Sequence, residues 1–510
     1  MEHKETNYYE QAIPPVRDRR LTVGDSFTGT SCELLNCAKS GCMLKKNRRF
    51  WQANTCQMTL SLMMATTVEN AVIVVHAPIG CGSNMHSLGA SSSVGKARRG
   101  KKPETTVWLS TNLQESDVIT GGEDKLRRTI IYADREFRPE IIFVVATCTP
   151  AIIGDDIEEI VRSTAEGTCA TVTAIHCPGF KSRVVASAYD SFYHSVLRRI
   201  PLEPVPYEDY TPVEQSDPDY LINIHRFNAQ KRLTVNIFNA TSIGPDDEGE
   251  LKRLLNAIGV NVRFFAEYCS MKELRMMTFA GLNVSMCNLH DDYILTYLKE
   301  KYDIPYIIAD MPIGFTATRN WILAIADHYD LSDKAKSLID QEEQELRKAL
   351  EPLLPQIRGK RLLICGGVIR SGTEAIALKE LGVNMIGIRA YHYDTNADEV
   401  FTGLAEEFPD LPVAVSNQPF EMINQLRRLK PDVVISHNGT HGWLAKAGFT
   451  SVQLFDALKP CFAYTGFYRI VRRLIFAMKN SSYETRLAQY VKQPYKADWY
   501  AREPYSYIKD

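Results

Sequence analysis

Three cysteines stand where a chain presents thiols to a metal instead of burying them. Cys81 closes the run Val72-Ile73-Val74-Val75-His76-Ala77-Pro78-Ile79-Gly80-Cys81-Gly82, an apolar strand that breaks into a glycine turn. Cys148 ends the run Ile141-Ile142-Phe143-Val144-Val145-Ala146-Thr147-Cys148 and is followed by Thr149-Pro150, read as a helix cap and first-turn proline. Cys56 lies in Asn54-Thr55-Cys56-Gln57, ahead of a methionine-rich segment. Two of the three thus sit at carboxyl ends of strands, where open α/β sheets place their ligands. Thiols at such turns are poised to deprotonate and bind iron. Cys287 repeats the geometry, ending Leu282-Asn283-Val284-Ser285-Met286 ahead of a helix from His290 to Lys301. Taken alone, it reads as packing before ligand. Cys177, in His176-Cys177-Pro178-Gly179-Phe180, has a similar position, and Cys269 and Cys365 read as core.

The elements that must hold these residues alternate strand and helix. A chain of 510 residues exceeds one core and implies several domains. Residues 1–50 read as a polar, irregular N-terminal arm. Its Cys32, Cys37 and Cys42 recur every five residues, a period that matches no common ligand spacing, although a metal there stays open. Residues 51–225 form a first α/β domain, closed by a proline-rich linker from Pro201 to Pro218. A second, 226–355, opens with the strand Arg232–Phe238, the helix Glu248–Ile258 and the strand Val260–Phe265. A third, 356–480, carries the strand Arg361–Cys365, the helix Thr373–Leu381 and strands at Val383–Gly387, Asp432–Ile435 and Ser451–Phe455. A long helix over Leu331–Leu353 leads into it, and 481–510 is a C-terminal tail. Strand–helix–strand units of this size imply right-handed crossovers and parallel sheets. The expected class is α/β, three Rossmann-like domains around a cofactor cleft.

Composition narrows the function. The chain is 45% hydrophobic and 24% charged with net charge −2, which favours a globular protein and gives no reason to expect nucleic acid. No apolar run is long enough for a membrane and the N-terminus has no signal-peptide core, so a cytoplasmic protein is expected. There, twelve cysteines imply metal ligation or core packing before a disulfide framework. Gly366-Gly367-Val368-Ile369-Arg370-Ser371-Gly372 lacks the order of a dinucleotide fingerprint, and no phosphate-binding loop signature occurs, so hydrolysis of ATP by this chain is not expected.

Read together, HAPIGCG around Cys81, ITGGEDKL with Gly121-Gly122, and ATCTPAIIGDDIEEIV around Cys148 resemble the α subunit of the nitrogenase molybdenum-iron protein family, over about residues 50 to 480. The resemblance implies that Cys56, Cys81 and Cys148 hold a P-type cluster of eight irons and seven sulfurs, shared with a homologous β-type subunit in an α2β2 assembly. It implies that Ile153, Gly154, Asp155 and Asp156 lie near the docking surface of an ATP-dependent iron protein. Gly80 and Gly82 would let backbone approach the cluster. Cys287 falls at the position that anchors a large iron–sulfur cofactor of unknown heterometal. The family's second cofactor ligand is a histidine, and Gln453 stands there, a poorer donor offering only a carbonyl oxygen. His437 and His441, in Ser436-His437-Asn438-Gly439-Thr440-His441, and His392 are spare imidazoles for that role or for proton delivery, and Cys461 is a further thiol.

Other pocket positions depart from enzymes that reduce dinitrogen. Val185 and Tyr189 replace a glutamine and a histidine, Gly89 replaces an arginine, and Ile369 replaces a second arginine beside Arg370. A roomier, less polar pocket favours a larger apolar substrate. The resemblance therefore points to a nitrogenase-like reductase, most similar to methylthio-alkane reductases, which cleave thioethers such as dimethyl sulfide or 2-methylthioethanol to methanethiol and hydrocarbon. Two alternatives remain: an alternative nitrogenase α subunit, and a cofactor-assembly scaffold.

Overall fold

The unbroken apolar runs lie in the middle of parallel sheets, as two-sided burial requires. In the computed structural model, which describes residues 8–50, 56–83, 85–202, 218–238, 243–436, 440–454, 459–493 and 495–509, the strands Ala71–His76 and Ile141–Ala146 pair in parallel, Val72 opposite Ile142, and both are buried along their whole length. Val107–Ser110 and Thr171–His176 flank them to complete the first sheet. The second sheet has the order Tyr306–Ile308, Leu282–Ser285, Thr234–Phe238, Asn261–Phe265, again all parallel. The third runs Ser451–Gln453, Val433–Ser436, Arg361–Gly366, Asn384–Ala390, Pro412–Val415 in parallel. Among the parallel strands of each sheet the chain starts at an inner strand, lays the next one (in the third sheet the next two) on one side and then returns to the other. That reversal creates a switch point at the carboxyl ends.

The connecting helices follow their apolar stripes. Pro245–Ile258 buries Leu251, Leu254, Leu255 and Ile258, and ends at Gly259, whose φ of +100° suits glycine. The long helix spans Ser332–Leu350, and the helix after Cys287 spans Asn288–Tyr302. The third-sheet helix begins earlier than its periodicity suggests, at Val368, because Gly367 already caps it. One apolar core joins the second and third sheets, and another joins the first sheet to Phe238, Phe265 and Tyr293 of the second. The linker falls mostly outside the described residues.

Both chain ends differ from the sequence reading. The N-terminal arm is built into the fold: Phe27–Thr30 adds an antiparallel strand to the edge of the third sheet beside Pro412–Val415. The helix Ser31–Lys39 follows, closed by a capping box between Thr30 and Glu33. Cys37 and Cys42 form a disulfide, which overturns a metal reading of that series, and Cys32 is exposed. Gly41, with φ of +72°, folds the chain back so that their Cα atoms come within 4.9 Å. At the other end, Ile508–Lys509 pairs with Asn47–Arg48, and the Tyr505 hydroxyl donates to Gln425 Oε1 at 2.5 Å. Neither end is a loose tail.

The arm also ties the three sheets together. Arg17 is fully buried, donating from Nε to Asp394 Oδ2 at 2.8 Å and from Nη1 to Asp292 Oδ1 at 2.7 Å and Asp190 Oδ1 at 3.3 Å. Arg20 reaches Asp190 at 2.8 Å and Asp292 at 3.0 Å. Those carboxylates come from the helix Ser187–Arg199, the helix Asn288–Tyr302 and the short strand Tyr393–Asp394, which pairs with Val23–Gly24. Burial pushes Asp292 up, but Arg17 and Arg20 outweigh it and hold the carboxyl below its ordinary value. Removing one member of such a network strands buried charge. Arg17→Ala is therefore expected to destabilise the protein by about 3–5 kcal/mol in urea unfolding, well beyond any exposed arginine.

Candidate metal centre

Cys81 and Cys148 follow the two central strands of the first sheet, on either side of its switch point. Cys148 is the first residue of the helix Cys148–Ile153, so the cap is Thr147 and not Thr149. The Thr147 hydroxyl is needed elsewhere: it donates to the His76 carbonyl at 3.0 Å and bonds the Cys81 thiol. Cys56 caps the helix Gln57–Ala65. Two of the three thiols thus occupy helix starts, where the backbone dipole favours negative charge.

The Cys56 and Cys148 thiols meet at Gly179, two residues beyond Cys177. The Gly179 N–H donates to Cys148 Sγ at 3.1 Å. A Cβ on Gly179 would lie 2.8 Å from Cys56 Sγ and 3.7 Å from Cys148 Sγ, so a side chain there collides with the first sulfur. Cys81 lies within electrostatic range of both. Burial pushes the Cys56 and Cys81 thiols up, and each is raised further by its sulfur neighbours. A coordinating cation reverses that balance, since a bound thiol is deprotonated outright. No three metal-ligating side chains among the described residues converge on one ion. The donor set, three thiols without histidine or carboxylate, suits a polynuclear iron–sulfur group. Cys177 is buried, with its thiol raised by burial and directed at the Ala146 carbonyl, as a packed residue. Gly82 serves packing too, because a Cβ there would strike the Trp108 ring at 2.5 Å, whereas Gly80 has open space.

All three thiols are only partly buried, and Ile79 and Phe180 beside them are each 57% exposed. A second apolar patch, Val118, Ile119 and Ile152, lies exposed on the helices Glu115–Thr120 and Cys148–Ile153. Behind it the glycine pair and the acidic motif lock together. Asp155 accepts from the Gly122 N–H at 3.0 Å, and its Oδ2 lies 3.0 Å from His76 Nε2. Burial lowers the His76 pKa against the pull of Asp155, and its Nδ1 meets Thr111 Oγ1 at 3.0 Å. Asp156 caps the helix Ile157–Ala165, accepting from the Glu159 N–H.

Cys287 lies at the switch point of the second sheet, the same topological place as Cys148, and caps the helix Asn288–Tyr302. It is buried, and burial pushes its thiol up to about 12, opposed by Arg370. Arg370 comes from the helix Val368–Lys379, which begins at the third sheet's switch point. That helix turns Ser371, Thr373 and Glu374 inward, each buried with a side-chain oxygen that lacks a partner among the described residues. Glu374 is pushed up to about 8 by burial, against Arg370 and Arg473. His392 Nε2 also lacks a partner, and burial with the Arg17 charge pushes this imidazole down to about 3. Asn288 and Asn396 exchange side-chain-to-carbonyl hydrogen bonds of 3.2 Å, which bring the segments after Cys287 and His392 together.

The remaining sequence candidates scatter. Gln453 ends its strand half-buried, and Arg473 pins the carbonyls of Gln453, Leu454 and Pro460 at 3.5, 3.3 and 2.9 Å. His441 is exposed, with Nδ1 2.7 Å from Ser451 Oγ. His437 lies outside the described residues. Cys461 is buried, its N–H donating to Asp247. Tyr189 stacks on His290 with centroids 4.0 Å apart, Val185 is half-buried, Ile369 is buried, and a Cβ on Gly89 would meet nothing within 4 Å. Gly179, Thr147 and Glu374 are the positions beside the thiols and Arg370 that spacing alone misses. A glycine two residues past a strand-end cysteine was the available signal for the first.

Fold and site define an α/β protein with thiol-rich switch points. The sequence model of the nitrogenase component 1 type oxidoreductases matches residues 56–479, and the chain belongs to that family. It is 25% identical over 451 residues to a nitrogenase molybdenum-iron protein alpha chain of Methanothermobacter marburgensis, covering 86% of this chain and 89% of that one. It is 26% identical over 487 residues to the nitrogenase iron-molybdenum cofactor biosynthesis protein NifE of Sinorhizobium fredii, covering 90% and 89%. The solved structure of nitrogenase Cp1 at pH 5 shares the fold, with a TM-score of 0.68 at 21% identity over 87% of this chain and 91% of that one. Among the described residues no helix is long and apolar enough to cross a membrane.

A Cβ on Gly122 would lie 2.7 Å from Leu113 Cδ2, 2.8 Å from Asp155 Oδ2 and 2.9 Å from His76 Cε1. Gly122→Ala is expected to cost about 1–3 kcal/mol of stability in denaturant unfolding, while Gly80→Ala, in open space, stays near neutral.

Proposed function

We propose that the protein is the catalytic α-type subunit of a nitrogenase-like reductase. The observation that carries this reading is the meeting of Cys56 and Cys148 at the Gly179 backbone, with Cys81 within electrostatic range of both. An eight-iron, seven-sulfur cluster shared with a homologous β-type subunit, in an α2β2 assembly, accounts for half-exposed thiols under the Ile79 and Phe180 rim. The Val118, Ile119 and Ile152 patch, above the Asp155 motif, suits the docking of an ATP-dependent iron protein. The three sheets are taken as three domains divided near residues 225 and 355.

Cys287 is proposed to anchor a second iron–sulfur cofactor in the chamber between the second and third sheets. The unpartnered oxygens of Ser371, Thr373 and Glu374 suit such an occupant, since native buried polar groups are otherwise satisfied. When bound, the two groups supply an electron relay and a reducing centre. The chain's own residues supply the rest. His392, a neutral imidazole with an open nitrogen, is a better donor than the Gln453 carbonyl or the exposed His441. Glu374, raised to about 8, holds a proton at neutral pH and can release it within the chamber. Gly89 leaves volume and Tyr189 an aromatic wall. These features favour a thioether, R–S–CH3, which with two electrons from the iron protein and two protons yields R–H and methanethiol.

A cofactor-assembly scaffold is the second reading, favoured by the likeness to the cofactor biosynthesis relative and by the amide at Gln453. Purified protein with its partner, iron protein and ATP is expected to release methanethiol from ethyl methyl sulfide. No release overturns the thioether reading, and transfer of a metallocluster to an apo-enzyme supports the scaffold. Separately, Gly179→Ala is expected to lower the iron retained at the shared cluster about tenfold and to remove its paramagnetic signal, with the circular dichroism unchanged. Full retention of iron and signal would exclude the cluster from this position.

A further inference from the structure

The carboxyl ends of the strands are not the only concave face. At their amino ends, a cavity of about 1100 Å³ opens between the first and second sheets, with Thr171 and Asn261, each the first residue of its strand, in its wall. Four cations line it. Lys252 comes from the helix Pro245–Ile258, Arg263 from the strand Asn261–Phe265, and Lys272 and Arg275 from the helix Met271–Arg275. Glu140 is the one carboxylate among the lining residues.

Arg263 is the informative member. Its guanidinium is half-buried, donates to the Met276 carbonyl at 3.2 Å, and lies over the Phe265 and Phe279 rings at 5.4 and 5.7 Å. No carboxylate bonds it among the described residues, and burial pulls its pKa below the ordinary value against the weaker pull of Cys269 and Glu273 nearby. Lys252 and Arg275 make no ion pair among those residues either. Gathering like charges around a partly desolvated guanidinium is unfavourable unless an anion joins them. The volume exceeds what an inorganic ion fills and suits a small organic molecule. The Asn256 carboxamide and the Phe279 ring offer surface to its uncharged part.

We infer that this cavity binds a multiply charged organic anion, whose phosphate or carboxylate oxygens take up the Lys252, Arg263, Lys272 and Arg275 cations. A guanidinium fork matches either oxyanion, so the shared chemistry is the polyanion and its source is open to experiment. The cavity lies at the amino ends of the strands, whereas Cys56, Cys81, Cys148 and Cys287 belong to their carboxyl ends, so a ligand here does not enter the chemistry there.

Titration calorimetry of the full chain with ADP, tricarballylate and inorganic phosphate tests the site. Saturable binding of ADP or of tricarballylate is expected, and the tighter of the two assigns the class. Lys252 and Arg275 are exposed, so the doubly substituted K252A/R275A protein should fold, as its unfolding curve will show, and bind the organic anion at least about tenfold more weakly. Added salt should weaken binding to the unsubstituted protein. The inference is overturned if neither organic anion binds at millimolar concentration, if K252A/R275A binds as well as the parent, or if inorganic phosphate binds as tightly as both.

Discussion

A parallel sheet buried on both faces leaves reactive groups only one place to stand. Along Ala71–His76 and Ile141–Ala146 every residue is packed and every inner backbone group serves the ladder, so chemistry moves to the carboxyl ends. There neighbouring strands deliver their next residues about 5 Å apart, and the helices that follow present unpaired N–H groups. Cys148 and Cys287 occupy equivalent places after the third strand of their sheets, and Gly367 caps a helix at the third sheet's switch point. One topological device, used three times, sets where the thiols and their polar neighbours lie.

The placement of charge divides the interior into two kinds of region. Around Arg17 every carboxylate is met by a guanidinium, and three sheets are fastened through groups that would be prohibitive alone. On the helix Val368–Lys379, by contrast, Glu374, Ser371 and Thr373 each keep an oxygen without a partner among the described residues. A folding core gains nothing from such orphans, each of which costs about 1–3 kcal/mol of unrecovered desolvation. Their concentration on one helix suits the occupant proposed for it. The same contrast separates Asp155, satisfied by Gly122 and His76, from the bare isoleucines outside it.

Much of the fold was readable because two-sided burial leaves long apolar runs and because Gly259 and Gly382 punctuate the helices they end. The ends of the chain were not, since Phe27–Thr30 is short and becomes a strand only when the edge of the third sheet offers Pro412–Val415. Arg17 reads as an ordinary polar arm residue for the same reason; its partners lie between 173 and 377 positions away. The cysteines were visible as strand-end thiols, but the Cys37–Cys42 bond depends on the left-handed Gly41 turn and not on a ligand pattern. At the helix that begins with Cys148, Thr147 and not Thr149 is the cap, because the helix starts two residues before Pro150. Glu374 falls in the helix read from Thr373 to Leu381, but its burial depends on how the third sheet packs that helix.

Backbone placement and side-chain choice answer to different pressures, and this separates the relay from the chamber. The Gly179 approach is set by main-chain geometry: any Cβ meets a sulfur, so the position tolerates one residue type. Elsewhere side chains vary on a fixed frame: a Cβ on Gly89 would meet nothing within 4 Å, and Tyr189 stacks on His290. Under the proposed function, a site built this way could exchange one ligand or substrate for another without moving the backbone around Gly179, and Gln453 would bear the cost. A carbonyl oxygen is a weak donor to iron, and Arg473 already pins the backbone on which it sits. On the proposed function, holding a large group would then fall to Cys287 and to a neighbour with an open lone pair. His392, kept neutral by burial, is the imidazole that carries one.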